Sequence, residues 1–216
     1  MRKLTLTAIV AAAALVAGLQ KYSGFSLPQP QGHSPVTDRH DIAKNAEAFV
    51  GTPYNVDRTK GMVCTDVYVT AAGLSERIIE DGRARPEHYS AFNERLPVLA
   101  QNLAYLGDVF RLSDFNNTPD NSQFPRRIQN VLSFQAANGT FLSGSDTPVQ
   151  AGYAIYFTDG SSEIPSHMGV VGSVDSQGRP QEVIHASSRA GRVVKDSLHE
   201  ILAKGYRIAG FGYVPK

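Results

Sequence analysis

Apolar positions along the chain follow two periods, and each period predicts a different kind of element. From Cys64 onward, Val67, Ala71, Leu74 and Ile78 recur at helical spacing, so one amphipathic helix is expected after the turn residue Gly61. "SERIIEDGR" and "NERLPVLAQNLAYL" are helical in pattern, and Arg126–Phe134 predicts a third helix. "SHMGVVGSV" and "QEVIHASS" are short strand-like runs on either side of "DSQGRP", a turn signal, and together they predict a hairpin. The tail "YRIAGFGYVPK" predicts a last strand, whereas "DFNNTPDNSQ" and "ANGTFLSGSDTPVQ" are loops by composition. Helices first and an antiparallel sheet after them make an α+β domain.

The amino terminus has a different pattern. Arg2 and Lys3 precede an apolar run from Leu4 to Leu19, rich in alanine, with small residues at Val16-Ala17-Gly18. A basic start, an apolar core and a small-residue end make an export signal. The run has 16 residues, short of the roughly 20 that span a bilayer, so residues 1–20 are read as a signal peptide, either cleaved or kept as an anchor through 4–19. Residues 21–38 hold three prolines and little apolar content and read as a flexible linker. The folded domain is expected to occupy 39–216.

Composition narrows the function classes. Apolar residues at 42% and charged residues at 19% are ordinary for a globular protein of 216 residues. A net charge of +1 with no basic run argues against nucleic acid as a partner.

Cys64 is the single cysteine. Outside the cytoplasm it cannot pair within its own chain, which leaves a buried small hydrophobe, an intermolecular disulfide or a reactive thiol. Its place at a helix start, where free N–H groups favour an anion, predicts a lowered thiol pKa and suits a nucleophile. Asp66 is an acid in the first turn of the same helix. A nucleophilic thiolate needs a base and a group to orient it. Of six histidines, His33, His40, His88 and His199 lie in polar or amphipathic surroundings, while His167 and His185 lie on the two arms of the hairpin. If His185 pairs opposite Gly169, the two rings sit on one face at diagonal positions, with the glycine leaving space between them. Zinc is disfavoured: there is no HExxH, no second cysteine and no ligand pair at helical spacing. No cofactor is implied.

The order "AEAFVGTPYNV", "GMVCTDVYVTAAG", "AGYAIYF", "HMGVV", "VIHASS" resembles the NlpC-type cysteine peptidases, papain-like enzymes that cut bacterial cell-wall peptides. "GMVCTDV" with "FPRRIQNVLSF" is similar to a related bacterial group with Gly-Val-Cys-Thr-Asp-Val followed by Arg-Arg-x-x-Asn-Leu. The resemblance covers residues 40–216, with longer spacing than usual between Cys64 and His167. It implies a papain-like NlpC-type fold, with a nucleophile helix packed on a central antiparallel sheet and a helical and loop insertion around 75–150. It also implies Cys64 as nucleophile, His167 as general base, His185 as the orienting residue, and Tyr54, with Asp66, on the substrate side. Two departures fall where substrate would lie: "NVDRTKG" replaces Trp-Gly-Gly, and Cys-Thr-Asp replaces Cys-Ser-Gly.

The expected function is an exported thiol hydrolase, in the periplasm or cell envelope, that cleaves peptidoglycan stem peptides as an endopeptidase. Arg126 and Arg127 are either a surface pair at a helix start or the partners of an acidic stem peptide. An amidase or acyl transferase on the same fold, a catalytically silent wall-binding module, and a tethered structural protein with a core cysteine are the alternatives.

Overall fold

The run Tyr153–Phe157 is apolar at every position, and a strand of that kind has to be covered on both faces. In the computed structural model, which describes residues 39–89, 119, 122–160 and 164–215, it forms the wholly buried strand β2, Ala154–Thr158. The described residues belong to one unit, Val36–Lys216. Around β2 stand β1 (Phe141–Ser143), β3 (His167–Val174), β4 (Pro180–Ser187), β5 (Arg192–Ser197) and β6 (Arg207–Gly212). They make one antiparallel sheet in the order β1-β6-β2-β3-β4-β5.

The helices are α1 (Arg39–Glu47), α2 (Cys64–Ala71), α3 (Ser75–Ala84), α4 (Ile128–Ala137) and α5 (Leu198–Ala203), with a 3₁₀ turn at Phe124–Arg126. Period-two alternation sends Tyr156, Met168, Val170, Ile184 and Val193 into one core with Val67, Tyr68, Leu74, Ile78, Phe124 and Val131. The opposite face carries Ile155, Phe157, Val171, Val183 and Phe211, covered by Ile201 of α5 together with Val149 and Tyr153. The fold is α+β, with a six-stranded antiparallel sheet between two apolar layers.

Several expectations change. The stripe Val67, Ala71, Leu74, Ile78 is buried throughout, yet Val67 and Ala71 lie in α2, Ile78 lies in α3, and Leu74 stands in the turn between them. Gly73, at φ 63°, ends α2, and the Leu74 N–H closes back on the Val69 carbonyl at 2.9 Å. Arg126 lies in the 3₁₀ turn, and α4 starts two residues later at Ile128. The segment read as the loop "ANGTFLSGSDTPVQ" contributes β1, paired with β6 through Phe141↔Gly212. What was expected to be an insertion at 75–150 supplies Ile78, Phe124, Val131 and Phe134 to the core beneath α2. The readings of residues 1–38 and of "NERLPVLAQNLAYL" lie outside the described residues.

Candidate active site

Cys64 is the first residue of α2, so the free N–H groups of the first turn surround it. Valine at the N-cap, Val63, has no side-chain oxygen to bond them. Half of a capping box forms instead: Asp66 Oδ2 accepts the Val63 N–H at 2.9 Å. The approach to Cys64 is tight. Tyr54 donates its N–H to the Gly191 carbonyl at 2.8 Å, which stitches the Gly-Thr-Pro-Tyr segment beside β5. Met62 then returns its N–H to the Pro53 carbonyl at 2.9 Å. A Cβ on Gly61 would stand 2.1 Å from that carbonyl, so glycine is required there by close approach.

Asp66 and Arg126 hold this corner together. The guanidinium Nη2 lies 2.7 Å and Nε 3.1 Å from Asp66 Oδ2, and Nε lies 2.9 Å from Oδ1. Its remaining N–H groups reach the carbonyls of Val56 at 2.6 Å and Asn55 at 3.4 Å, and the Gln123 side chain at 2.8 Å. The Asp66 and Arg126 side chains are 4% and 5% exposed. Asp66 therefore faces inward, and the expectation that it meets substrate is corrected: both its oxygens already take N–H donors. Neither expectation for Arg126 holds, since it is neither a surface residue nor placed to meet a ligand. Arg127 is buried as well.

The two histidines come together on the sheet. Strand pairing of β3 with β4 runs to Val170↔Ile184, which sets Gly169 across from His185. His167 Nε2 lies 2.8 Å from His185 Nδ1, with the rings at 82° to each other. Glycine at 169 acts in the opposite sense from the open space expected. A Cβ there would meet Val183 Cγ1 at 2.7 Å, the Ile184 carbonyl at 2.8 Å and His185 Cβ at 3.0 Å, so its absence lets the strands close.

His167 stacks on Phe157 at 6.1 Å between centroids and tilts against Tyr206 at 5.4 Å. His185 Nε2 lies 3.4 Å from Asp196 Oδ2, and the same oxygen accepts from Lys204 Nζ at 2.8 Å.

Cys64 reaches the sheet where His167 begins β3: the backbone N–H of Met168, the next residue, is directed at its thiol, as are the N–H groups of Thr65 and Cys64 itself. These donors favour a thiolate, and they lose to burial. Burial, aided by the nearby Asp66 charge, pushes the Cys64 thiol up to about 11. The lowered thiol expected from the helix start is thus reversed, because in this packed corner desolvation outweighs the helix terminus. Burial also brings His167 down to about 3, with the charges of His185 and Lys204 acting in the same direction. His185 is lowered by burial, against the pull of Asp196. The resting site holds a neutral thiol and two neutral imidazoles.

Tyr54 is half-buried, and its hydroxyl is held protonated by burial and by the adjacent Cys64. His88 and His199 are exposed. Among the described residues, no group of three His, Cys, Asp or Glu side chains is arranged to hold a metal ion.

Sequence reasoning missed Asp196, Lys204, Tyr206 and Phe157. Asp196 comes to His185 only through strand register, Val183↔Asp196 beside His185↔Val194, which no local motif announces. No protein-family model, curated protein or solved structure matches the chain.

Proposed function

We propose that this chain is an exported thiol hydrolase with a papain-like NlpC-type fold, acting as an endopeptidase on the stem peptides of bacterial peptidoglycan. One observation carries the reading. A thiol at a helix start lies against the N–H of the residue that follows His167, and His167 is hydrogen-bonded to His185.

In this mechanism Cys64 Sγ attacks the carbonyl carbon of a peptide bond while its proton passes to His167 Nδ1. His167 Nε2 is already occupied by His185. Because the resting thiol is neutral, deprotonation accompanies attack rather than preceding it. The Cys64 N–H stabilises the oxyanion, and Tyr54 donates from the adjacent wall. Collapse breaks the C–N bond, the amine takes the proton from His167, and water then hydrolyses the thioester. His185 orients His167 throughout.

A second reading, a silent wall-binding module, is favoured by one observation: burial holds the thiol in its less reactive form. Digestion of purified wall peptides, read by mass, separates the readings. Hydrolysis gives fragment pairs whose masses sum to the parent plus one water. An acyl transferase gives a product carrying an amine acceptor in place of the leaving group, and an amidase releases ammonia or splits the wall peptide from its sugar, leaving a free acid on the sugar and a free amine on the intact peptide. Binding without any new product supports the silent module and overturns the hydrolase.

A further inference from the structure

The face of the sheet that carries the two histidines ends in a run of polar groups whose hydrogens can be assigned one after another. Register places Asp196 diagonal to His185 on that face, and α5 delivers Lys204, just past its last turn, to the same carboxylate. A carboxylate only accepts, so the hydrogen between Asp196 Oδ2 and His185 Nε2, 3.4 Å apart, belongs to the imidazole. A neutral imidazole carries one N–H, so His185 Nδ1 holds a lone pair. His167 Nε2, 2.8 Å away, must then be the donor. His167 Nδ1 is left with its lone pair free.

We propose that Asp196, held by Lys204, is a positioning residue that fixes the tautomer of His185 and, through it, that of His167, so that His167 offers an unprotonated Nδ1 to the thiol. This rests on the reading of Cys64 and His167 as nucleophile and base. Alone, a histidine pair has no preferred direction, since either ring can donate to the other. The carboxylate removes that degeneracy at the far end. Lys204 has only donors, so it keeps the oxygen in place while Asp196 is present. Without Asp196 the same ammonium, whose charge already acts on His185, turns to His185 Nε2, demands a lone pair there and reverses the direction of the whole chain.

That reversal distinguishes positioning from packing. In Asp196→Ala, Lys204 puts the proton on His185 Nδ1 and His167 Nδ1, and the base is lost. The kcat is expected to fall about a hundredfold or more with KM little changed, as wrong-tautomer variants behind other catalytic histidines do. Removing Lys204 as well, in Asp196→Ala/Lys204→Met, restores the degeneracy and regains about tenfold of that loss. Asp196→Asn keeps the wild-type tautomers, because one amide oxygen can receive both donors where Oδ2 now does.

The experiment is nitrogen-15 NMR of the histidine side chains in the full chain at neutral pH, with no substrate present. Expected for the wild type and Asp196→Asn is protonated Nε2 and lone-pair Nδ1 on both His167 and His185, and for Asp196→Ala the reverse. A wild-type His167 protonated at Nδ1, or Asp196→Ala with unchanged tautomers, overturns the proposal. If Asp196→Ala does not fold, the wild-type spectrum decides alone. Absence of wall-peptide turnover overturns the hydrolase reading and leaves this spectrum unaffected, so the two failures are told apart.

Discussion

Asp66 and Arg126, sixty residues apart in the chain, form a buried ion pair at 2.7 Å beneath the start of α2. The carboxylate also holds the Val63 N–H and the guanidinium holds the Asn55 and Val56 carbonyls, so one pair fixes both the helix entry and the loop that follows Tyr54. Removing one partner leaves the other charged and buried. Arg126→Met should cost about 3–5 kcal/mol, read as a lowered urea midpoint with an unchanged slope. The double variant Asp66→Leu/Arg126→Met should recover much of that loss, because two well-packed apolar side chains replace a desolvated pair. Equal midpoints for Arg126→Met and the wild type would show that the pair is solvated.

Stability should depend on pH in two limbs of opposite sign. His167 is brought from 6.5 down to about 3 on folding, so the unfolded chain binds more protons between those values. Its contribution is present above about 6.5 and is lost as pH falls toward 3. His185 acts in the same direction. Cys64 is raised from 9.0 to about 11, so the folded chain keeps its proton longer and stability declines as pH rises from 9 toward 11. Urea midpoints measured across this range should form a plateau between the limbs. His167→Gln should flatten the acid limb and Cys64→Ala the alkaline one; unchanged limbs would contradict the burial argument.

Alkylation tests the neutral resting thiol. With burial holding the thiol near 11, iodoacetamide should label the folded protein more slowly than the urea-unfolded chain at neutral pH, and labelling should accelerate only in alkaline solution. Labelling faster than in the unfolded chain at pH 6–7 would instead indicate a thiolate–imidazolium pair at rest.

Gly169 controls the distance between the histidines. A methyl at that position meets Val183, Ile184 and His185 atoms at 2.7–3.0 Å, so Gly169→Ala has to spread β3 from β4. Overpacking of this kind costs about 1–3 kcal/mol. Activity should fall further than stability, because the 2.8 Å bond between His167 and His185 lies beside the spread strands. Nearly full turnover in a destabilised variant would show that this bond is dispensable.

How much of this was legible in the sequence depended on the range of the interaction. Period-two alternation announced the hairpin of His167 and His185, and "DSQGRP" marked its turn, because both signals are local, whereas the ladder shifts register at Val171/Ser173 and again at Ser173/Val174. The continuous stripe after Cys64 hid a helix break, since burial is indifferent to the Schellman turn at Gly73. Arg126 looked like a surface residue because its partner Asp66 lies sixty positions earlier. The same limit applies to Asp196, which adjoins His185 by register alone. The thiol adds another limit: a helix start is visible in sequence, but the desolvation that opposes it around the partly buried Cys64 is not.

The most direct test of the central claim is release of peptide fragments from purified wall peptides by the wild type, Cys64→Ala, His167→Ala and His185→Ala. Cys64→Ala should release nothing while still binding the peptides, because attack and recognition use different side chains. His167→Ala should be nearly as inactive, and His185→Ala should retain more activity, with His185→Asn recovering part of the difference through its hydrogen bond to the ring. Fragment release by Cys64→Ala at the wild-type rate would contradict the assignment of Cys64 as the nucleophile.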